Sequence, residues 1–371
     1  MIVELHAIQS FGPSNLNRDD TGNPKDAIFG GVRRARISSQ AAKRAIRVSD
    51  VFKRTVNAPT GMRTKLLIEQ IVGGLVSRGY DEAAALAYAT NVITTLFAKL
   101  DKKAQNKTNV LVYISQGEID QIVAFAEQAA SRGEQPDVSE LIKSFKKQMA
   151  NRTSAPDIAL FGRMLADSPE LNIDAACQMA HALSTHEVNT AEFDYFTAVD
   201  DLQPNDNAGA GMIGLVAFNA ATYYRHTRID VEQLVTNLAG DHELALHTIA
   251  GLMQAFALVV PSGMQNSFVN QHAPDFLLAV VRYDNDGQSL DNAFESPVRA
   301  KGIGYVEPSI ERLATYWDQV DRAFRLSDPV VSVMNPRRFP LPSEELNAAT
   351  QPDLRAWVDV VIDAVSKAAE S

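Results

Sequence analysis

Residues 2–9 alternate apolar and polar side chains, with Val3, Leu5 and Ala7 on one face, and predict a strand. The apolar period then changes. Residues 61–105 and 116–150 read as helical, most clearly in "YDEAAALAYATNVITTLFAKL", with a short strand expected in "NVLVYIS" (109–115) between them. "PDIALFGRML" (156–165) predicts a strand reaching a turn. Residues 186–218 mix aromatics with a polar, Gly-rich centre and show no helical period, which is long for a connection and predicts a functional protrusion. Strand patterns resume at 218–230, at "DFLLAVVRYD" (275–284) and at "VVSVMNP", with helices expected at 241–259, 307–325 and 352–369.

The order βα…ββαβ with a large insertion suggests an α+β fold built on a ferredoxin-like or RRM-like sheet. Sheets of that kind bind single-stranded RNA through stacked aromatics. The usual aromatic signature is absent from these strands, so any RNA binding falls to a loop and a helix.

At 371 residues the chain is too long for one minimal core, and two or three packed units are expected. Apolar content of 46% and charged content of 22% are those of a soluble globular protein. No apolar run is long enough to span a bilayer, and "MIVELHAIQS" lacks a basic start and a cleavage site, so no membrane partner is expected. The single cysteine, Cys177, rules out an internal disulfide framework and a cysteine-ligated zinc site, and fits a reducing cytoplasm.

Charge sharpens the picture. The chain carries a formal net −10, yet residues 1–64 hold eleven Lys/Arg against five acids, a local +6 that leaves −16 on the rest. From Ala27 to Ser49 there are six basic residues and no acid. Ser38-Ser39 followed by "QAAKRAIR" reads as a serine-capped helix. Gln40, Lys43, Arg44 and Arg47 fall at i, i+3, i+4 and i+7 on one face, with Ala42, Ala45 and Ile46 opposite. Three cations, an amide and a helix N-terminus form a surface suited to phosphates.

Other features leave two readings each. Asp19-Asp20 and Asp200-Asp201 supply carboxylates for a metal-dependent RNA endonuclease, or else form turns. Lys143, Lys146 and Lys147 make either a solvated helix face or a second polyanion contact. Met212 and Ile213, among glycines in "NAGAGMIG", fold back onto the core, or else wedge between bases or pack on another subunit. The seven histidines show no ligand spacing, and no nucleophile–base pair or GxSxG is present, so no cofactor, metal or catalytic residue is expected.

"LNRDDTGNPKDAIFGGVRRARISSQAAKRAIR", "PDIALFGRML", "STHEV", "FTAVDDL" and "NAFESPV" together resemble the CasC family, the repeated backbone subunit of type I-E CRISPR Cascade. The motifs occur in the family's order and span nearly the whole chain. The resemblance implies a hand-shaped, noncatalytic protein: an RRM-like palm (1–56 and 221–371), a helical fingers insertion (57–180) and a thumb hairpin (186–220). It implies copies that polymerise head to tail along crRNA, displace one nucleotide at regular intervals and, with other Cascade subunits, pair the guide with target DNA. Carried over, Arg18, Lys25, Ser38, Gln40, Lys43, Arg44 and Arg47 hold the guide backbone, and Met164 packs against the displaced base. Ile213, with Met212 beside it, falls near the thumb-tip wedge, and Phe196 and Thr197 lie at the thumb base. Lys143, Lys146 and Lys147 match a fingers helix that contacts target DNA. A guide contact is also implied near Gln265 and Asn266, although Met264 stands where the family commonly has lysine.

Overall fold

A computed structural model describes residues 1–370 apart from 105, 132–135, 150–151, 166–167, 190, 199–201, 203–211, 285–286, 301 and 303. In chain order the elements are β1 (Ile2–Ser14), β2 (Asp26–Phe29), β3 (Val32–Ile37), α1 (Ser39–Val48), α2 (Asp50–Val56), β4 (Met62–Thr64), α3 (Leu67–Val76) and α4 (Glu82–Leu96). There follow β5 (Val112–Ile114), α5 (Gln116–Ser131), α6 (Val138–Met149), α7 (Pro156–Phe161), β6 (Cys177–Met179), β7 (Ala182–Ser184), β8 (Glu192–Ala198) and β9 (Met212–Asp230). The chain continues with α8 (Val231–Asn237), α9 (His242–Leu258), α10 (Gln265–Phe268), β10 (Phe276–Arg282), α11 (Val306–Phe324), β11 (Val330–Met334), α12 (Glu344–Ala348) and α13 (Leu354–Glu370). The expected α+β class is what the chain adopts. Among the described residues no helix is long and apolar enough to cross a membrane.

The chain divides into two compact units. The first comprises Met1–Val51, Met179–Arg228 and Leu252–Ser371; the second comprises Phe52–Gln178 and Ile229–Gly251.

The first unit is built on a sheet of order β11-β10-β1-β9-β7-β3-β2. β1 pairs antiparallel with β10 from Ile2↔Arg282 to Ile8↔Phe276. Every residue of β10 is buried, as the apolar run 276–281 requires of a strand covered on both faces. One face, with Ile8, Tyr224, Phe276, Leu278 and Val280, packs on Ile310, Leu313 and Trp317 of α11. On the other, Trp357 of α13 donates its indole N–H to the Ser332 carbonyl (3.0 Å), and the Ser332 hydroxyl donates to the Trp357 carbonyl (3.1 Å). Alternation in β1 therefore tells half the story, because the polar positions Glu4 and His6 are buried too. Arg282 donates to Glu4 (2.9 Å) and to Asp321 of α11 (2.8 Å), while His6 Nδ1 lies 2.8 Å from the Tyr224 hydroxyl.

The second unit packs α3, α4, α5 and α6 around Leu67, Ile71, Leu75, Val92, Leu96, Ile122, Leu141 and Phe145. Two expectations need correction here. The helical reading of 61–105 gives way to β4 at its start and to an irregular turn after Leu96, where Leu100 bridges Thr108. The strand expected over 156–165 is instead α7. Pro156 occupies the first helical turn, where its fixed φ and missing N–H do no harm. The buried Asp157 carboxylate accepts from Gly61 N–H (2.7 Å) and the Tyr113 hydroxyl (2.6 Å), so the apolar run "IAL" winds as a helix within the core. Gly162, at φ +75°, ends it where a Cβ would sit 2.8 Å from the Ile173 carbonyl oxygen.

Candidate nucleic-acid interface

Helix α1 forms as its spacing predicts. Ser38 is its N-cap, its hydroxyl accepting from Ala41 N–H (3.3 Å) while its own N–H donates to Asn17 Oδ1 (2.8 Å). Ser38 is buried, so it joins helix to loop instead of standing open to a ligand. Ile46 anchors the apolar face; Gln40 and Arg44 are exposed, and Lys43 and Arg47 are half-buried beside them.

The loop before β2 is held by its own polar groups. Lys25 N–H donates to the Asn17 carbonyl (3.0 Å), and Arg36 N–H to the Lys25 carbonyl (2.9 Å). Asp19 Oδ1 accepts from Thr21 N–H (2.9 Å), the Thr21 hydroxyl (2.8 Å) and Asn23 N–H (2.9 Å). The Thr21 hydroxyl, with the backbone N–H groups around it, holds the Asp19 carboxyl below the usual carboxylate range. Asp19 is thus a turn former. No group of three or more His, Cys, Asp or Glu among the described residues could hold a metal ion, and Asp200 and Asp201 lie outside those residues.

The basic run divides by role. Arg34 is fully buried and donates to the carbonyls of Ser184 (2.9 Å), Phe294 (2.8 Å) and Glu295 (3.2 Å), so it braces the sheet. The adjoining Gly30-Gly31 turn has φ of +60° and +77°, and a Cβ on Gly30 would sit 1.6 Å from the Glu295 carbonyl oxygen. Arg33 pairs with Asp26. Arg36 donates to the Asp26 carbonyl (3.0 Å) and lies 3.0 Å from His181 Nδ1. A guanidinium can only donate, so His181 accepts there and carries its proton on Nε2. Burial, then the charges of Arg36 and Lys25, push the His181 pKa down. Lys25, Arg33 and Arg36 line one open groove with Asp19, Asp20 and Phe193. Arg18 is exposed, its guanidinium 3.7 Å from Met264 Sδ, a neighbour that sets no charge against it. Gln265 is committed to its own loop, donating to the Pro261 carbonyl (3.0 Å) and accepting from Asn270 N–H (2.8 Å); Asn266 is exposed.

The protrusion is a hairpin. β8 pairs antiparallel with β9 from Glu192↔Phe218 to Ala198↔Met212. Phe196 and Thr197 oppose Gly214 and Ile213 near the far end of this ladder, which corrects their expected place at its base. The Phe196 ring lies over Gly214, where a Cβ would meet it at 2.1 Å. Met212 and Ile213 lie in β9, and residues 207–211, the rest of the expected tip before them, fall outside the described residues. Phe193, Tyr195 and Leu215 are exposed along the same hairpin. Phe193 and Tyr195 were missed in the sequence, although the alternation of "EFDYF" was there to be read.

In the second unit Met164 is 85% exposed between two buried neighbours. Arg163, on one side, pairs with Glu118 at 2.6 Å and donates twice to the Leu171 carbonyl (3.1 and 3.0 Å). Leu165, on the other, donates its N–H to Asn172 Oδ1 at 2.6 Å. The backbone therefore holds an apolar side chain out in water, an arrangement that fold stability does not require. On α6, Lys143 and Lys147 are exposed and border a groove with Glu140, Gln148 and Arg152, whereas Lys146 pairs with Glu170.

A model of the CT1975-like protein family matches residues 3–359. The chain belongs to that family. This bears out the CasC-type resemblance drawn from motifs along the chain. A solved structure described as "CRISPR RNA-guided surveillance complex, pre-nicking" is similar to this family member over 98% of this chain and 100% of that chain, at 29% identity and a TM-score of 0.83. A second, described as "CRISPR RNA-guided surveillance complex", matches over 98% and 100% of the two chains at 25% identity and a TM-score of 0.73. No curated protein matches the chain.

Proposed function

We propose that this CT1975-like protein is a noncatalytic guide-RNA-binding backbone subunit of a type I-E CRISPR surveillance complex. It polymerises head to tail along crRNA, holds its phosphates, displaces a base at regular intervals and, with the other Cascade subunits, supports pairing with target DNA in the cytoplasm. Palm (1–56, 221–371), fingers (57–180) and thumb (186–220) divide this work. The observation that carries the reading is the basic face of α1, Lys43, Arg44 and Arg47, on an otherwise acidic chain. Phosphate contacts fix register without reading sequence, which a guide of changing sequence requires. The exposed Met164 supports a role in base displacement. Asp19, bound up in its turn, supports a holding role for the loop over cleavage.

The test is co-purification. The parent protein should retain RNA of repeat-derived sequence, and Lys43→Glu/Arg44→Glu/Arg47→Glu should lose it with its thermal melt unchanged. Charge-assisted phosphate bonds contribute about 1.5–3 kcal/mol each before repulsion is added. Normal RNA yield from the triple variant would overturn the assignment, and divalent-dependent cleavage of the bound RNA would overturn the noncatalytic role.

A further inference from the structure

The turn that replaces the end of the expected helix carries a charge pattern of its own. Between Lys99 and Lys107 there are four lysines, Lys99, Lys102, Lys103 and Lys107, and a single acid, Asp101. All four lysines are exposed. The turn is nevertheless well tied. Asp101 N–H donates to the Lys107 carbonyl (2.8 Å), Lys107 N–H to the Ala104 carbonyl (2.9 Å), Asn109 N–H to the Lys99 carbonyl (2.9 Å) and Thr108 N–H to the Lys65 carbonyl (3.0 Å).

Two carboxylates hydrogen-bond to this turn among the described residues. Asp101 Oδ1 accepts from Lys103 N–H (2.8 Å), and Glu69 Oε1 accepts from the Asn106 amide (2.9 Å). Four exposed lysines on this short turn thus outnumber the two carboxylates, which stay negatively charged beside them. Leu100, at the foot of the turn, packs on the same cluster as Val138 and Ile142 of α6, so turn and lysine helix share one core.

We infer that the 99–107 turn is a further nucleic-acid contact, a sequence-independent grip on phosphodiester groups that extends the basic surface of α6. Lysine is depleted in protein–protein interface cores and is a routine partner of backbone phosphates, where each neutralised phosphate releases a counterion. An excess of positive charge on one short exposed segment attracts a polyanion. No aromatic side chain lies within 99–107, which fits backbone grip over base reading. Val110 and Leu111, exposed just beyond the turn, are what a protein partner would use instead.

The inference rests on the nucleic-acid reading above, and the arms of the test keep the two apart. The assembled complex, full chain with its retained RNA, is titrated with random-sequence duplex DNA over a range of salt. Lys99→Ala/Lys102→Ala/Lys103→Ala/Lys107→Ala should weaken duplex binding about tenfold at moderate salt and lower the slope of log K against log salt by roughly 2–4, and Lys→Arg at the same sites should restore both. Guide retained per protein should stay constant; loss of guide with duplex binding unchanged would assign the same phosphate grip to RNA. Parent-like affinity and slope for both nucleic acids would overturn the inference, as would fewer copies per guide with DNA binding per copy unchanged, which would mark a protein contact. If the fourfold variant fails to fold, Lys102→Gln/Lys103→Gln is read by the same salt slope, with a fall of roughly 1–2 expected. A parent protein that retains no RNA would count against the α1 reading, not against the turn.

Discussion

Removing the cation behind Met164 gives the sharpest test of how that residue is presented. Arg163 and Glu118 are both 0% exposed, 2.6 Å apart. Glu118 also closes a capping box at the start of α5, its Oε2 accepting from Ser115 N–H (2.7 Å) and its N–H donating to the Ser115 hydroxyl (3.1 Å). Arg163→Met keeps the volume but strands a buried carboxylate and frees the Leu171 carbonyl. Breaking one side of a buried pair costs about 3–5 kcal/mol. Arg163→Met/Glu118→Gln should recover part of that loss, since no net charge stays buried. The readout exploits tryptophan placement. Trp317 and Trp357, the chain's two tryptophans, both lie in the first unit, whereas α3–α6 belong to the second. In urea, the far-UV helix signal of Arg163→Met should fall at lower denaturant than tryptophan fluorescence, splitting the parent's transition. A shift below about 1 kcal/mol, or an equal shift in both signals, would refute the idea that this pair anchors the Met164 segment.

Acid should weaken the RNA-free protein in two steps. Burial pulls His226 down to about 3 from 6.5, so its stabilising contribution is full above pH 6.5 and falls by about 2 kcal/mol between pH 6.5 and 5, as the unfolded chain takes up the proton first. Glu4 is buried, which alone would raise its pKa, but the His6 hydrogen bond and the His6 and Arg282 charges hold it at about 2 against 4.5; stability is lost again from pH 4.5 downward, by up to about 3 kcal/mol. Denaturant midpoints that stay flat from pH 7 to 5 would contradict the histidine assignment. Met164→Ala/Ile213→Ala should leave total guide binding nearly constant while periodic base reactivity along the guide fades; an unchanged period would put the wedge elsewhere. Lys143→Ala/Lys147→Ala should lower the salt slope of duplex binding by roughly 2, and adding Lys146→Ala should change little, because Lys146 already pairs with Glu170. A large extra loss from Lys146→Ala would contradict that pairing.

Helix α1 was legible because its apolar and basic positions both keep the helical period and a serine precedes them. The long C-terminal helices and β10 were legible for similar reasons of length and period. Several things were not. Glu4 and His6 look like solvent-facing alternates until Arg282, Asp321 and Tyr224 arrive from distant segments to pair with them. Arg34 counts as surface charge in a sequence, and only the Ser184 and Phe294 carbonyls reveal it as a brace. "PDIALF" is too short for period alone to separate strand from helix, and Asp157's partners decided the matter. Ser38 suits both a cap and, by family likeness, a guide ligand; its geometry is that of the cap. The lysines at 99–107 carry no signal of their own in the sequence, because they fall at the end of a strong helical pattern.

The pairing of Ile2 with Arg282 has a consequence for synthesis. β1 is held in the middle of the sheet by a strand that follows it by some 280 residues. At about 5–20 residues per second, the N-terminus waits roughly 15–60 s before that partner leaves the ribosome. Such distant pairing also makes for slow closure of the sheet. The basic loop and helix that follow β1 therefore gain their finished platform only once most of the chain exists, so half-made chains carry the cations of α1 without the completed sheet that α1 later shares.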